Sequence, residues 1–105
     1  ISTATGTKNI LSLPIIIVVH VVGGDGMKLN QAVSLRLAEL MQARAMTQYQ
    51  LSTKSGVPKS SIGNIMHCAY DSVKLRVLHE LCQGLSISLP EFFDSPLFYE
   101  ENLEP

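Results

Sequence analysis

Along the middle of the chain, apolar residues return with the period of an α-helix, and polar punctuation cuts that period into short pieces. Val33, Leu37, Leu40 and Met41, with Arg44 after them, follow the i, i+4, i+7, i+8 spacing of one amphipathic helix. Thr47, with Gln50 three residues on, forms a capping box and starts a second helix. Gly56 stands where that helix should stop, since glycine accepts the left-handed conformation of a C-terminal cap. Val57 is apolar, and Pro58 suits the first turn of a third helix, where its missing N–H would have no partner anyway. Ile62 and Ile65 give that helix a buried side, and "HCAYDS" reads as the loop after it. Leu75, Leu78, Leu81, Cys82 and Leu85 mark a fourth helix, and Ser88 with Glu91 is a second capping box. That box opens a short fifth helix that buries Phe92 or Phe93. Five short helices in about sixty residues predict a small all-α orthogonal bundle.

The flanks follow other patterns. Before the helices, "PIIIVVHVV" is β-branched almost throughout and closes on the turn-forming "GGDG", so residues 1–26 predict a β-strand arm with a Gly-rich linker. A lone strand cannot satisfy its own backbone groups, and a helical bundle has no sheet edge to receive it. Pairing of Ile15–Val22 with the same strand of a second chain, in a homodimer, is the expected solution. Met27 would also serve as a start codon, a reading that makes residues 1–26 a non-native upstream extension. The expected organisation is therefore arm 1–26, helical domain 27–94 and acidic tail 95–105, "SPLFYEENLEP".

Composition adds limits. With 105 residues, 46% of them hydrophobic, the chain suits one globular domain. Its longest apolar run, Ile15–Val19, is far short of the roughly 20 residues that span a bilayer, and no signal-peptide pattern surrounds it. Cys68 and Cys82 are fourteen apart without a CxxC or a histidine pair nearby, which predicts two reduced thiols and a cytoplasmic protein. The net charge of −1 hides an asymmetry. Residues 27–86 carry seven bases against three acids, whereas residues 87–105 carry five acids and no base.

The stretch "TQYQLSTKSGVPKSSIGNIM" joins its two helices through Gly56 in the manner of a helix-turn-helix. Leu51, Val57, Ile62 and Ile65 are its expected buried set, and Ser52 is small where the two helices approach. On these residues the chain resembles the lambda-repressor-like, Cro-type helix-turn-helix family, also called the XRE family. The likeness spans about residues 32–94, because "VKLRVLHELCQGLSISLPEFF" is similar to the fourth helix, turn and fifth helix of that family. The resemblance implies a five-helix lambda-repressor-like DNA-binding domain, double-stranded operator DNA as partner, and no cofactor. It implies that Gln48 braces a phosphate and often a base. Lys59, Ser60 and Asn64, with Ser61 beside them, match the outward positions of the recognition helix, about Pro58–Met66, that face base edges. Lys74 and Arg76 match positions near the DNA backbone. The chemistry agrees: lysine donates to guanine O6 and N7, asparagine pairs bidentately with adenine, and serine serves either base. Gly63 beside them would let a sugar-phosphate strand come close. Two departures stand out. Met41 and Met66 occupy positions where many members carry an Arg–Glu ion pair, which predicts a thioether contact in its place. His67-Cys68-Ala69 replaces an Asn-Gly-base ending, which removes one phosphate contact.

The expected function is a sequence-specific DNA-binding transcriptional regulator acting as a repressor. Two other readings use the same fold: the antitoxin of a toxin–antitoxin pair, and a protein-interaction module that no longer binds DNA. An enzyme is not expected. No Ser-His-Asp set, paired carboxylates or phosphate-binding glycine loop occurs at a workable spacing, and His20, His67 and His79 are isolated. No catalytic or metal-ligating residue is therefore assigned.

Overall fold

The computed structural model describes residues 26–104, so the strand arm expected over Ile15–Val22 lies outside the described residues. Among these residues the architecture is helical: α1 (Leu29–Ala43), α2 (Gln48–Ser55), α3 (Lys59–Met66), α4 (Leu75–Leu85) and α5 (Leu89–Phe93). Two 3-10 turns follow, Pro96–Phe98 and Glu100–Asn102, and the described residues contain one isolated parallel bridge, Met27 with Leu103.

The capping chemistry falls where the sequence puts it. Thr47 Oγ1 accepts the Gln50 N–H at 3.1 Å while Gln50 Oε1 accepts the Thr47 N–H at 2.9 Å. Ser88 and Glu91 repeat the exchange at α5. Gly56 ends α2 at φ +80°. Pro58 sits one position earlier than expected, as the N-cap of α3 rather than inside its first turn. Three other turns use left-handed residues that are not glycine: Ala45 (φ 51°) between α1 and α2, Cys68 (φ 53°) after α3, and Ser86 (φ 62°) after α4.

One core joins all five helices. Val33, Leu37, Leu40 and Met41 of α1, Leu51 of α2, Ile62 of α3, Leu78, Leu81, Cys82 and Leu85 of α4, and Phe92 of α5 are buried together with Val57. Leu75 departs from its expected place on the α4 stripe. It is the first residue of that helix and lies 73% exposed, because the bundle reaches α4 only from Val77 and Leu78 onward. Of the two phenylalanines, Phe92 is the buried one, and Phe93 and Phe98 pack against it edge-on or tilted. Met41 and Met66 both belong to this core, Met66 at its edge.

A close approach made by small residues joins α2 to α4. A Cβ on Gly84 would come 2.8 Å from Ser55 Cβ and 3.0 Å from Ser55 backbone atoms, so only glycine fits there. A second, smaller core of Met27, Ala32 and Leu97 fixes the last described residues against α1. Met27 N–H donates to Asn102 O, and Glu104 N–H donates to Met27 O. The carboxylates of Glu100, Glu101 and Glu104 stay exposed on this packed segment.

Candidate nucleic-acid interface

Leu51, Val57 and Ile62 are buried and Ile65 is half-buried, so α2 and α3 are held against each other through their apolar sides. The opposite side of α3 then faces outward. Lys59, Ser60 and Asn64 are exposed there, and Ser61 turns partly inward. Gln48, half-buried at the start of α2, reaches over α3, its Oε1 lying 3.7 Å from where a Gly63 Cβ would stand. Gly63 thus faces a neighbouring side chain as well as solvent. These five polar residues and Gly63 form one continuous surface built from two helices.

A second group lies at the start of α4. Lys74 is the N-cap residue and exposed, and Arg76 is 88% exposed. Arg76 Nε stands 3.9 Å from Glu80 one turn on, a surface pair too long and too wet to hold the guanidinium. Neither α3 nor α4 has a side-chain N-cap hydrogen bond, and neither has an acid in its first turn. A bare helix start presents backbone N–H groups and the positive end of the helix dipole, which attracts anions.

The seven bases of residues 27–86 therefore divide into two kinds. Arg36, only 14% exposed at its side chain, donates Nε to Phe92 O at 2.7 Å and an Nη to Glu91 O at 2.8 Å, with Glu39 alongside at 2.7 Å. Arg44 donates Nε to Leu85 O at 3.1 Å and an Nη to Leu40 O at 3.2 Å. Both guanidiniums satisfy carbonyls at helix C-termini, where a cation is favoured. Arg44 is exposed in spite of these bonds, and Lys28, Lys54, Lys59, Lys74 and Arg76 are exposed without a carbonyl partner among the described residues. The sequence carries no signal that separates the two kinds, because the carbonyls that Arg36 meets lie 55 and 56 residues away.

Other candidate chemistry stays apart. Cys82 is buried in the core, and that burial pushes its thiol pKa up, away from reactivity. Cys68 is half-buried in the loop after α3, at φ +53°. Among the described residues no three His, Cys, Asp or Glu side chains come together as metal ligands would, and no helix is long and apolar enough to cross a membrane. His20 lies outside the described residues. Tyr49 is exposed on α2.

The model of one protein family, the Cro/C1-type helix-turn-helix DNA-binding domain, matches residues 36–96. Among solved structures, the chain is similar to the wild-type restriction-modification controller protein C.Esp1396I, with 26% identity over 63% of this chain and 84% of that one, at a TM-score of 0.59. A point mutant of the same controller protein matches at 25% identity over 66% of this chain and 86% of that one, at a TM-score of 0.60. No curated protein matches.

Proposed function

The chain belongs to the family of Cro/C1-type helix-turn-helix DNA-binding domains and is a DNA-binding transcriptional regulator, and we propose that it is a sequence-specific repressor. In this reading α3 enters the major groove. Lys59, Ser60 and Asn64 face base edges, Ser61 flanks them, and Gln48 braces α3 and a phosphate. Lys74 and Arg76 meet the backbone of the same duplex. The observation that supports it is that α3 and α4 both begin without a side-chain cap or an acid and carry exposed bases, Lys59 on α3 and Lys74 and Arg76 on α4.

The protein acts in the cytoplasm as a homodimer on a pseudo-palindromic operator whose half-sites are about 34 Å apart. Pairing of Ile15–Val22 between chains belongs to this proposal and concerns residues outside those described. A narrower role, control of restriction–modification genes, is favoured by the two similar controller structures. Protection of DNA upstream of a methyltransferase gene from nuclease digestion tests that role.

Binding sites selected from a random DNA library give the central test. Asn64→Ala should cost about 1–3 kcal/mol on the selected site and relax one base pair per half-site. Arg76→Ala should weaken every sequence alike and flatten the salt dependence by about one unit per site. An unchanged ratio of selected to scrambled binding in Asn64→Ala removes α3 as the reader.

A further inference from the structure

Two buried polar residues of α1 have no part in the surface described above. Asn30 and Ser34 are both 8% exposed, and their spacing of four places them on one face of the helix. Ser34 Oγ donates to Met66 O at 2.8 Å, and Asn30 Nδ2 donates to Tyr70 O at 2.8 Å. Each acceptor occupies a particular place. Met66 is the last residue of α3, where helix carbonyls run out of backbone partners. The carbonyls of Gly63, Asn64 and Ile65 accept from His67, Ala69 and Cys68 N–H respectively, and that of Met66 accepts from Ser34. Tyr70 lies on the loop that runs from α3 to the bare start of α4. Between the two acceptors Cys68 holds a left-handed backbone, a conformation that persists in a non-glycine residue only where the surroundings impose it. Its Sγ also lies 3.8 Å from Asn30 O.

We infer that Asn30 and Ser34 are positioning residues for DNA recognition, fixing α3 and the start of α4 relative to each other from one face of α1. The inference rests on the reading of α3 as the base-reading helix. The front of α3 is anchored by Val57 and Ile62 in the core, whereas its exit has only the half-buried Ile65 and Met66 as apolar anchors. Without the two hydrogen bonds α3 is free to rock about its front, carrying Asn64 with it. Base contacts tolerate errors of about half an ångström. Phosphate contacts through the long side chains of Lys74 and Arg76 accommodate more, and they carry no sequence information. Losing the two α1 donors therefore removes discrimination before it removes affinity.

The test compares the full chain with Asn30→Ala/Ser34→Ala, Ser34→Ala and Ser34→Thr on a library-selected site and on scrambled DNA, at three salt concentrations. The double variant should lose about tenfold in the ratio of selected to scrambled binding, the worth of one displaced base contact. Its affinity for scrambled DNA and its salt slope should stay within about twofold of wild type. Ser34→Thr, which keeps the hydroxyl, should keep the wild-type ratio. If the double variant melts below the assay temperature, Ser34→Ala measured in the cold should lose about threefold in the same ratio, half the double variant's effect on a logarithmic scale. An unchanged ratio in a folded variant overturns the inference, as does an equal loss on both DNAs. A wild-type protein that does not discriminate at all overturns the function reading itself, a different result from unchanged variants of a discriminating protein.

Discussion

The starts of α2 and α5 and the starts of α3 and α4 solve one physical problem in opposite ways. α2 and α5 close their exposed N–H groups with reciprocal boxes, Thr47 with Gln50 and Ser88 with Glu91. α3 and α4 begin at Pro58 and Lys74, which offer no acceptor side chain, and their first turns hold bases instead of acids. Lys59, Lys74 and Arg76 thus sit at the positive ends of their own helices, where a cation is disfavoured by roughly 0.3–1 kcal/mol. Arg36 and Arg44 do the reverse, lying against helix C-termini, where a cation is favoured. Where charge and dipole agree, the residue is holding the bundle together. Where they conflict, the fold gains nothing, and an external anion such as a phosphate would relieve the conflict.

The largest expected effect lies on the side that closes itself. Arg36→Ala leaves two helix carbonyls, Phe92 O and Glu91 O, without their charged donor, and should destabilise by about 2–3 kcal/mol. Chemical denaturation measures it. Binding to DNA, assayed well below the melting temperature, should be unchanged. A loss of binding in the folded variant would put Arg36 on the DNA side and break the division between the two kinds of base.

That division was legible in part. Boxes, the αL glycine and the 3.6-residue period are local signals, so the five helices and the α2–α3 turn could be read from spacing alone. Leu75 misled because periodicity reports which side of a helix is apolar, not where along it the neighbours stop. Ala45 and Ser86 took left-handed turns that no glycine announced. Arg36, Ser34, Asn30 and the Gly84–Ser55 approach were invisible for one reason: each acts on a partner at least 29 residues away in the chain. The reading surface is the opposite case, with Lys59, Ser60 and Asn64 lying within one short helix.

Lys74→Ser converts a bare start into a capped one and sharpens the contrast. A serine hydroxyl at the N-cap of α4 should accept an N–H and raise stability by about 1 kcal/mol. The same change removes a cation, so binding should weaken on all sequences, with the salt slope falling by about one unit per site. Opposite signs in thermal melting and in DNA titration are the expected outcome. A variant that is less stable and binds as well as wild type would make Lys74 a structural residue.

The smallest effect concerns Gly63, in the middle of α3. Glycine there costs the helix roughly 0.8 kcal/mol against alanine. Close packing of the kind seen at Gly84 does not require it: an added Cβ would meet only Gln48 Oε1, at an ordinary contact of 3.7 Å. Gly63→Ala should therefore raise stability by roughly 0.8 kcal/mol in a denaturant titration. The effect on DNA separates two uses of the glycine. If it admits a sugar-phosphate strand beside Asn64, the added methyl should weaken binding while it stabilises the fold, the same opposition of signs expected for Lys74→Ser. If binding is unaltered, the strand does not pass over Gly63, and the DNA-facing side of α3 narrows to Lys59, Ser60 and Asn64.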